Sequence, residues 1–146
     1  MKDKLFFDSD IILDIAVNRK PFYAASSLLM SRVELKQFYG FTSSIIISNI
    51  YYILRKIESH KTAIDYISKL RLIINILAVD DDIIKAALES KFKDFEDAIQ
   101  YYTALKHKMD HLITRNIKHY IRSEITAHTP EEFLKLNEIK NRVGKD

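Results

Sequence analysis

Short apolar runs alternate along the chain with longer segments of helical periodicity, and this alternation predicts an α/β fold. The predicted strands cover residues 5–7, 39–42, 73–79, 111–114 and 125–128. Because helical segments separate the strands, the sheet is expected to be mainly parallel.

The helical segments differ in how their apolar positions are arranged. Residues 22–35 and 62–70 have amphipathic spacing, whereas 44–57 is apolar nearly all round and is predicted to be a buried helix. Three aspartates at 80–82 begin a helix that continues through Leu88, and Thr129 with Pro130 begins another. A further stripe predicts a core-facing side of one helix and comprises Phe95, Ala98, Tyr102, Leu105 and Met109.

Composition narrows the class of protein. The 146 residues are expected to form a single domain, 1–146, with a charged tail at about 140–146 that frays. The chain has no cysteine, which excludes disulfides, cysteine-zinc sites and thiol catalysis and fits a cytoplasmic location. No membrane span or signal peptide is expected, because no apolar run is long enough. The net charge of +3 permits a polyanionic partner without requiring one.

Asp8 is the first candidate for chemistry. It directly follows the apolar run at 5–7, so it is expected at the carboxyl end of a strand, where ligands gather in open α/β sheets. A second acidic group contains Asp94 and Asp97, which lie on one side of a helix at a spacing of three. Convergent carboxylates of this kind can hold Mg²⁺ or Mn²⁺ for phosphodiester hydrolysis. Asp94 and Asp97 are equally well explained as the capping residue and first-turn acid of a helix.

Taken together, four stretches resemble the PIN domain, the small metal-dependent nuclease fold that includes the VapC-type toxins. They are FFDSDIILDIAVNRKPF (6–22), SSIIISNIYYILRK (43–56), DFEDAIQYYTALKHKMDHLITRNIKHY (94–120) and AHTPEEFL (127–134). The resemblance implies a three-layer α/β/α fold with about five parallel strands in the order 3-2-1-4-5. It also implies an acidic pocket that binds Mg²⁺ or Mn²⁺ and cuts RNA.

Transferred residue by residue, the family pattern is only partly kept. Its first and third acids fall on Asp8 and Asp97, with Asp94 as a further acid beside them. Its second acid falls on Asn49 and its fourth on Asn116. Where the family branch reading T-R-N often has Asp-Phe, this chain has His119-Tyr120. Asp10 and Glu96 are candidate substitutes for the missing acids, although Asp10 and Asp14 are better explained as charges at the start of a helix.

The resemblance therefore implies a set of roles for this chain. Catalysis is assigned to Asp8, Asp97 and Asp94, and metal binding to these three with Asn116. Weaker substrate contacts are assigned to Asn49, Arg115, Lys118 and His119, with a charged surface as the alternative for the basic residues. The expected partners are RNA, a cognate antitoxin and a second copy of the chain, with no membrane.

Two functions follow from these assignments. The first is a metal-dependent endoribonuclease, such as the toxin of a toxin–antitoxin pair. The second is a catalytically weak or inactive module that binds RNA or protein, because amides replace two of the carboxylates.

Overall fold

The computed structural model describes residues 2–120 and 124–144. Its strands are β1 (Lys4–Phe7), β2 (Tyr39–Ser43), β3 (Asn75–Leu77), β4 (His111–Ile113) and β5 (Thr126–His128). Its α-helices are α1 (Ser9–Ala16), α2 (Tyr23–Glu34), α3 (Ser44–Ile57), α4 (His60–Arg71), α5 (Asp81–Glu89), α6 (Phe95–Lys106) and α7 (Pro130–Val143). One 3-10 helix, η1, spans Ile117–Tyr120.

The five strands form one parallel sheet in the order β3-β2-β1-β4-β5, as the family resemblance implied. Strand β1 lies at the centre, with Phe6 opposite Phe41 on β2 and Leu112 on β4. Helices cover both faces, so the central strands are apolar on both sides. Accordingly, Leu5, Phe6 and Phe7 are fully buried, and each contributes about 1.5–3 kcal/mol of hydrophobic stabilisation.

Gly40 is required where α2 packs on β2. A Cβ atom at this position would lie 2.6 Å from Cγ2 of Ile74 and 2.7 Å from Cγ1 of Val33. Distances this short would force the neighbouring side chains to move, so the close approach of helix and sheet depends on the missing side chain.

The predictions of which sides of α3 and α6 are buried are partly wrong. Helix α3 buries Ile46, Ile50 and Leu54, but its opposite side is open, and Tyr52 there is 63% exposed. In α6, Phe95 is 45% exposed, whereas Tyr101, absent from the predicted stripe, is buried. Both segments are rich in apolar residues on several sides, so periodicity alone does not identify the buried side.

The carboxyl-terminal helix α7 begins where the sequence predicted a helix start. Its amino-terminal end has a capping box, in which the Thr129 hydroxyl accepts the Glu132 amide and the Glu132 carboxylate accepts the Thr129 amide. The helix continues to Val143, so residues 140–143 of the charged tail are helical, and 145–146 lie outside the described residues. None of the described helices has the length and apolar character needed to cross a membrane.

Candidate active site

Asp8 lies where β1 ends and α1 begins. Its Oδ1 accepts the backbone N–H of Ser9 at 2.8 Å, and its Oδ2 accepts the hydroxyl of Thr114 at 2.9 Å. Thr114 follows β4, the neighbour of β1, so the parallel pairing of these strands brings the two residues together. The Asp8 side chain is therefore fixed from both sides and is 6% exposed.

The environment of Asp8 disfavours its negative charge. Burial, and then the nearby carboxylate of Asp10, raise the pKa of Asp8 to about 7, although hydrogen bonds from Thr114 and Ser9 oppose the shift. Near neutral pH this carboxyl group is therefore poised to hold a proton or to bind a cation in its place.

Tyr120 connects Asp8 to Asp97. The Tyr120 hydroxyl donates to Oδ1 of Asp97 at 3.3 Å and lies 3.5 Å from Oδ2 of Asp8. Burial and the two carboxylates raise the pKa of this phenol well above its usual range, so it remains a donor. The structure thus brings together two acids that are far apart in the sequence and belong to different elements.

The second carboxylate oxygen of Asp97 contacts His119, which stands where the family branch reading T-R-N often has an aspartate. Nδ1 of His119 lies 2.6 Å from Oδ2 of Asp97, and the imidazole is half exposed. Burial and then the charge of Asp94 raise the pKa of Asp97, and His119 opposes the shift. His119 thus contacts a site carboxylate, a more central position than the substrate contact predicted for it.

Asp10 belongs to the same site, although sequence reasoning treated it mainly as a helix-start charge. Its Oδ2 accepts the backbone N–H of Arg115 at 3.0 Å and the side-chain amide of Asn116 at 3.4 Å. Burial raises the pKa of Asp10, and the contacts with Arg115 oppose the shift. We refer to Asp8, Asp10 and Asp97 as the acidic cluster.

Arg115, for which a substrate contact was predicted, forms an ion pair within the protein. Its Nε lies 2.8 Å from Oδ2 of Asp14, a side chain with no exposure, and its guanidinium stacks 4.1 Å from the ring centre of Phe22. Arg19 supplies a second cation 3.3 Å from Asp14. This ion pair holds the loop after β4 against α1.

The other predicted residues lie around the acidic cluster. Asp94 is exposed and caps α6 by accepting the Asp97 amide at 2.9 Å, which is the capping alternative considered for it. Asn49 is half-buried on α3, and within the described residues no hydrogen bond joins it to the acidic cluster. Lys118 and Glu96 are exposed.

The chemistry of the acidic cluster fits a hard divalent cation. Burial raises the pKa of all three carboxyl groups, and the charges of Asp10 and Asp97 add to the shift at Asp8. A bound cation would stabilise the charged forms of these groups. Across the ranges 2–120 and 124–144, no three acidic or histidine side chains form a complete protein ligand set. Mg²⁺ does not need one, because it usually takes one or two carboxylates and completes its shell with water and phosphate.

Asp14 and Tyr120 were not identified as site residues from sequence, and Asp10 was considered only as a helix-start charge or a substitute acid. A signal was present for the two aspartates, because Asp10 and Asp14 are four apart and share a helix face that begins beside Asp8. Tyr120 gave no comparable signal, because only the path of η1 brings its hydroxyl between the two carboxylates.

Known proteins are similar to this chain in sequence. A family model described as PIN domain matches residues 4–118. The protein named Ribonuclease VapC1 from Aquifex aeolicus is 32% identical over 136 residues, covering 90% of this chain and 93% of that protein.

Solved structures share the fold at lower identity. VapBC2 from Rickettsia felis, bound to a DNA fragment from its promoter, superposes with a TM-score of 0.67 at 14% identity, covering 86% of this chain and 98% of the other. A toxin–antitoxin complex from Klebsiella pneumoniae gives 0.63 at 23% identity, covering 86% and 97%. VapC20 from Mycobacterium tuberculosis, described as a sarcin-ricin loop cleaving toxin, gives 0.61 at 16% identity, covering 74% and 86%.

Proposed function

This chain belongs to the PIN-domain family, and from that membership and the acidic cluster we propose that it is a metal-dependent endoribonuclease. VapC-type PIN-domain ribonucleases generally depend on a divalent metal ion, and we propose Mg²⁺ or Mn²⁺ here. The observation that carries the proposal is the pair Asp8 and Asp97, which meet at one hydroxyl group although they come from different elements.

The residues of the site have separable roles in this proposal. Asp8 and Asp97 would hold the cation, and Asp10 would add negative charge beside them. Thr114 keeps the Asp8 carboxylate oriented through a hydrogen bond at 2.9 Å, and the Tyr120 hydroxyl, which donates to Asp97, lies 3.5 Å from it. When bound, the ion supplies an activated water and neutralises charge on the phosphate. Asp94 and Asn116 lie at the edge and are proposed as secondary contributors.

The expected biological setting follows from the relatives. Structures similar to this chain include toxin–antitoxin complexes, and we propose that this chain has a cognate antitoxin protein. We also propose that it acts in the cytoplasm as a homodimer, which is typical of the family.

The test is cleavage of a mixed panel of structured RNAs with Mn²⁺, with Mg²⁺ and with EDTA. Asp8→Asn and Asp97→Asn are compared with wild type, and Asp65→Asn serves as the matched control because Asp65 is exposed on α4. We expect metal-dependent cutting that both site variants lose and the control keeps. Full cleavage by Asp97→Asn would remove that residue from the site.

A second function is favoured by one observation, the replacement of acids at Asn49, Asn116 and His119. A site with fewer carboxylates attracts a divalent ion less strongly, so the chain could bind RNA or protein without cutting. In that case no RNA is cleaved with Mn²⁺, with Mg²⁺ or with EDTA, and calorimetry shows no Mn²⁺ binding. Cleavage that appears only in His119→Asp would also support this second function, because that change restores a carboxylate beside Asp97.

A further inference from the structure

A cavity of about 1000 Å³ opens beside the acidic cluster, along one side of α6. Asp94 and Asp97 line one end of it, so the cavity is continuous with the candidate metal site. His119, which contacts Asp97, also lines it. The remaining lining residues are aromatic residues and lysines, and metal binding explains neither kind.

The aromatic part is a group of rings around Phe92. The centre of the Phe92 ring lies 5.1 Å from that of Tyr101 and 6.2 Å from that of Tyr102. Tyr101 is buried, and its hydroxyl accepts the backbone N–H of Glu124 at 3.2 Å. Phe92 and Tyr102 are half-buried, so both retain accessible ring surface where they line the cavity.

The charged part consists of Lys91, Lys93 and Lys118, all exposed at the cavity. None of these lysines forms an ion pair with a carboxylate in the part of the chain that the structure describes. By contrast, Lys106 at the far end of α6 is paired with Asp80. Three lysines around aromatic surface create a site for a ligand that carries both negative charge and flat rings.

We propose that this cavity binds unpaired nucleotides of an RNA strand next to the phosphodiester at the acidic cluster, an inference that rests on the proposed ribonuclease function. Its volume is at the upper end of the range for small-molecule sites. A base stacks on Phe92 or Tyr102, and the adjoining phosphates bind the lysines. Aromatic stacking combined with a basic groove is how proteins hold single-stranded nucleic acid. The stacking also makes RNA a better occupant than an acidic peptide, which has the charge but lacks the rings.

The test measures RNA binding without cleavage, using fluorescein-labelled single-stranded RNA and fluorescence anisotropy in EDTA. Tyr102→Leu removes a ring at the cavity and keeps apolar volume, and Tyr52→Leu is its control on the exposed side of α3. The double change Lys91→Ala with Lys93→Ala removes two charges without touching the core. Its control changes Lys61 and Lys69, which are exposed on α4.

We expect Tyr102→Leu to weaken binding at least about five-fold, and its control to leave binding unchanged. The Lys91 and Lys93 variant should lower the slope of log affinity against log salt by about 1.4, or about 0.7 for each lost phosphate contact. Equal effects in the controls, or no effect in either cavity variant, would overturn the proposal. Displacement of RNA by a polyglutamate peptide of equal charge, as readily as by unlabelled RNA, would overturn it in favour of an acidic protein segment.

This design separates the two proposals. Cavity-dependent RNA binding in a protein that cuts no RNA would support the nucleotide site while rejecting the ribonuclease. Metal-dependent cleavage with RNA affinity unchanged in both cavity variants would support the ribonuclease and reject the nucleotide site. The lysine variant keeps the test valid if Tyr102→Leu proves unstable.

Discussion

Asp8→Asn is expected to stabilise the protein at alkaline pH. The folded state raises the pKa of Asp8 from 3.8 to about 7, so between these values it binds protons more tightly than the unfolded chain. Stability associated with this group is therefore fully present below about pH 4 and is lost as the pH rises through 7. Asparagine has no charge to bury. Its single side-chain oxygen can accept from Ser9, and its amide group can donate to the hydroxyl oxygen of Thr114.

The magnitude follows from the same two pKa values. Their difference, at about 1.36 kcal/mol per pKa unit, corresponds to a loss of about 4 kcal/mol from the free energy of unfolding of wild type by pH 8. Typical domains have a free energy of unfolding of about 5–15 kcal/mol, so a change of this size is readily measured. The free energy of unfolding of Asp8→Asn should exceed that of wild type by less than about 1 kcal/mol at pH 4, where Asp8 is largely protonated in the folded protein.

The assay is urea denaturation followed by circular dichroism at pH 4, 6 and 8 in EDTA, for wild type, Asp8→Asn and the exposed control Asp65→Asn. Adding Mn²⁺ at pH 8 should stabilise wild type more than Asp8→Asn, because the cation replaces the proton at the carboxylate. A stability difference between wild type and Asp8→Asn that does not change with pH would refute the reasoning. So would a variant that is less stable than wild type at pH 8.

Two further predictions concern packing and charge. Arg115→Ala leaves the buried carboxylate of Asp14 with Arg19 as its cationic partner among the described residues, so urea denaturation should show a loss of about 2–4 kcal/mol. The matched change Arg19→Ala removes a more exposed partner and should cost less than about 1 kcal/mol, and equal losses would contradict the role given to Arg115. Gly40→Ala places a methyl group 2.6 Å from Ile74 and should destabilise the protein by about 1–3 kcal/mol; an unchanged melting temperature would show that the neighbouring side chains can move without strain.

The sequence was most informative where structure is local. The five strands were located because each is a short apolar run bounded by polar residues, and the starts of α5 and α7 were located because Asp80 and Thr129 are recognisable caps. The strand order, by contrast, was predicted from the resemblance to the PIN domain. Periodicity could not supply it, because no local pattern encodes which strands become neighbours.

The contacts within the site were the least predictable part. Asp10 accepts a hydrogen bond from Arg115 at a sequence separation of 105, and Arg115 reaches Asp14 at a separation of 101. Neither residue type indicates such a partner, so Asp10 was interpreted as a helix-start charge and Arg115 as a phosphate ligand. Tyr102 was likewise assigned to packing, because an apolar stripe does not show that a ring lies half-buried at a cavity.

The central position of β1 has a consequence for how the protein is made. This strand leaves the ribosome before the other four strands, and β2 and β3 can pair beside it while synthesis continues, because domains often fold during translation. Its other neighbour, β4, begins at residue 111, and Asp97, Thr114 and Tyr120 emerge correspondingly late. A nascent chain that ends before residue 94 therefore has Asp8 but lacks the groups that meet it. The acidic cluster is thus complete only when most of the chain has been translated, so an unfinished copy has Asp8 and Asp10 without the third acid, Asp97.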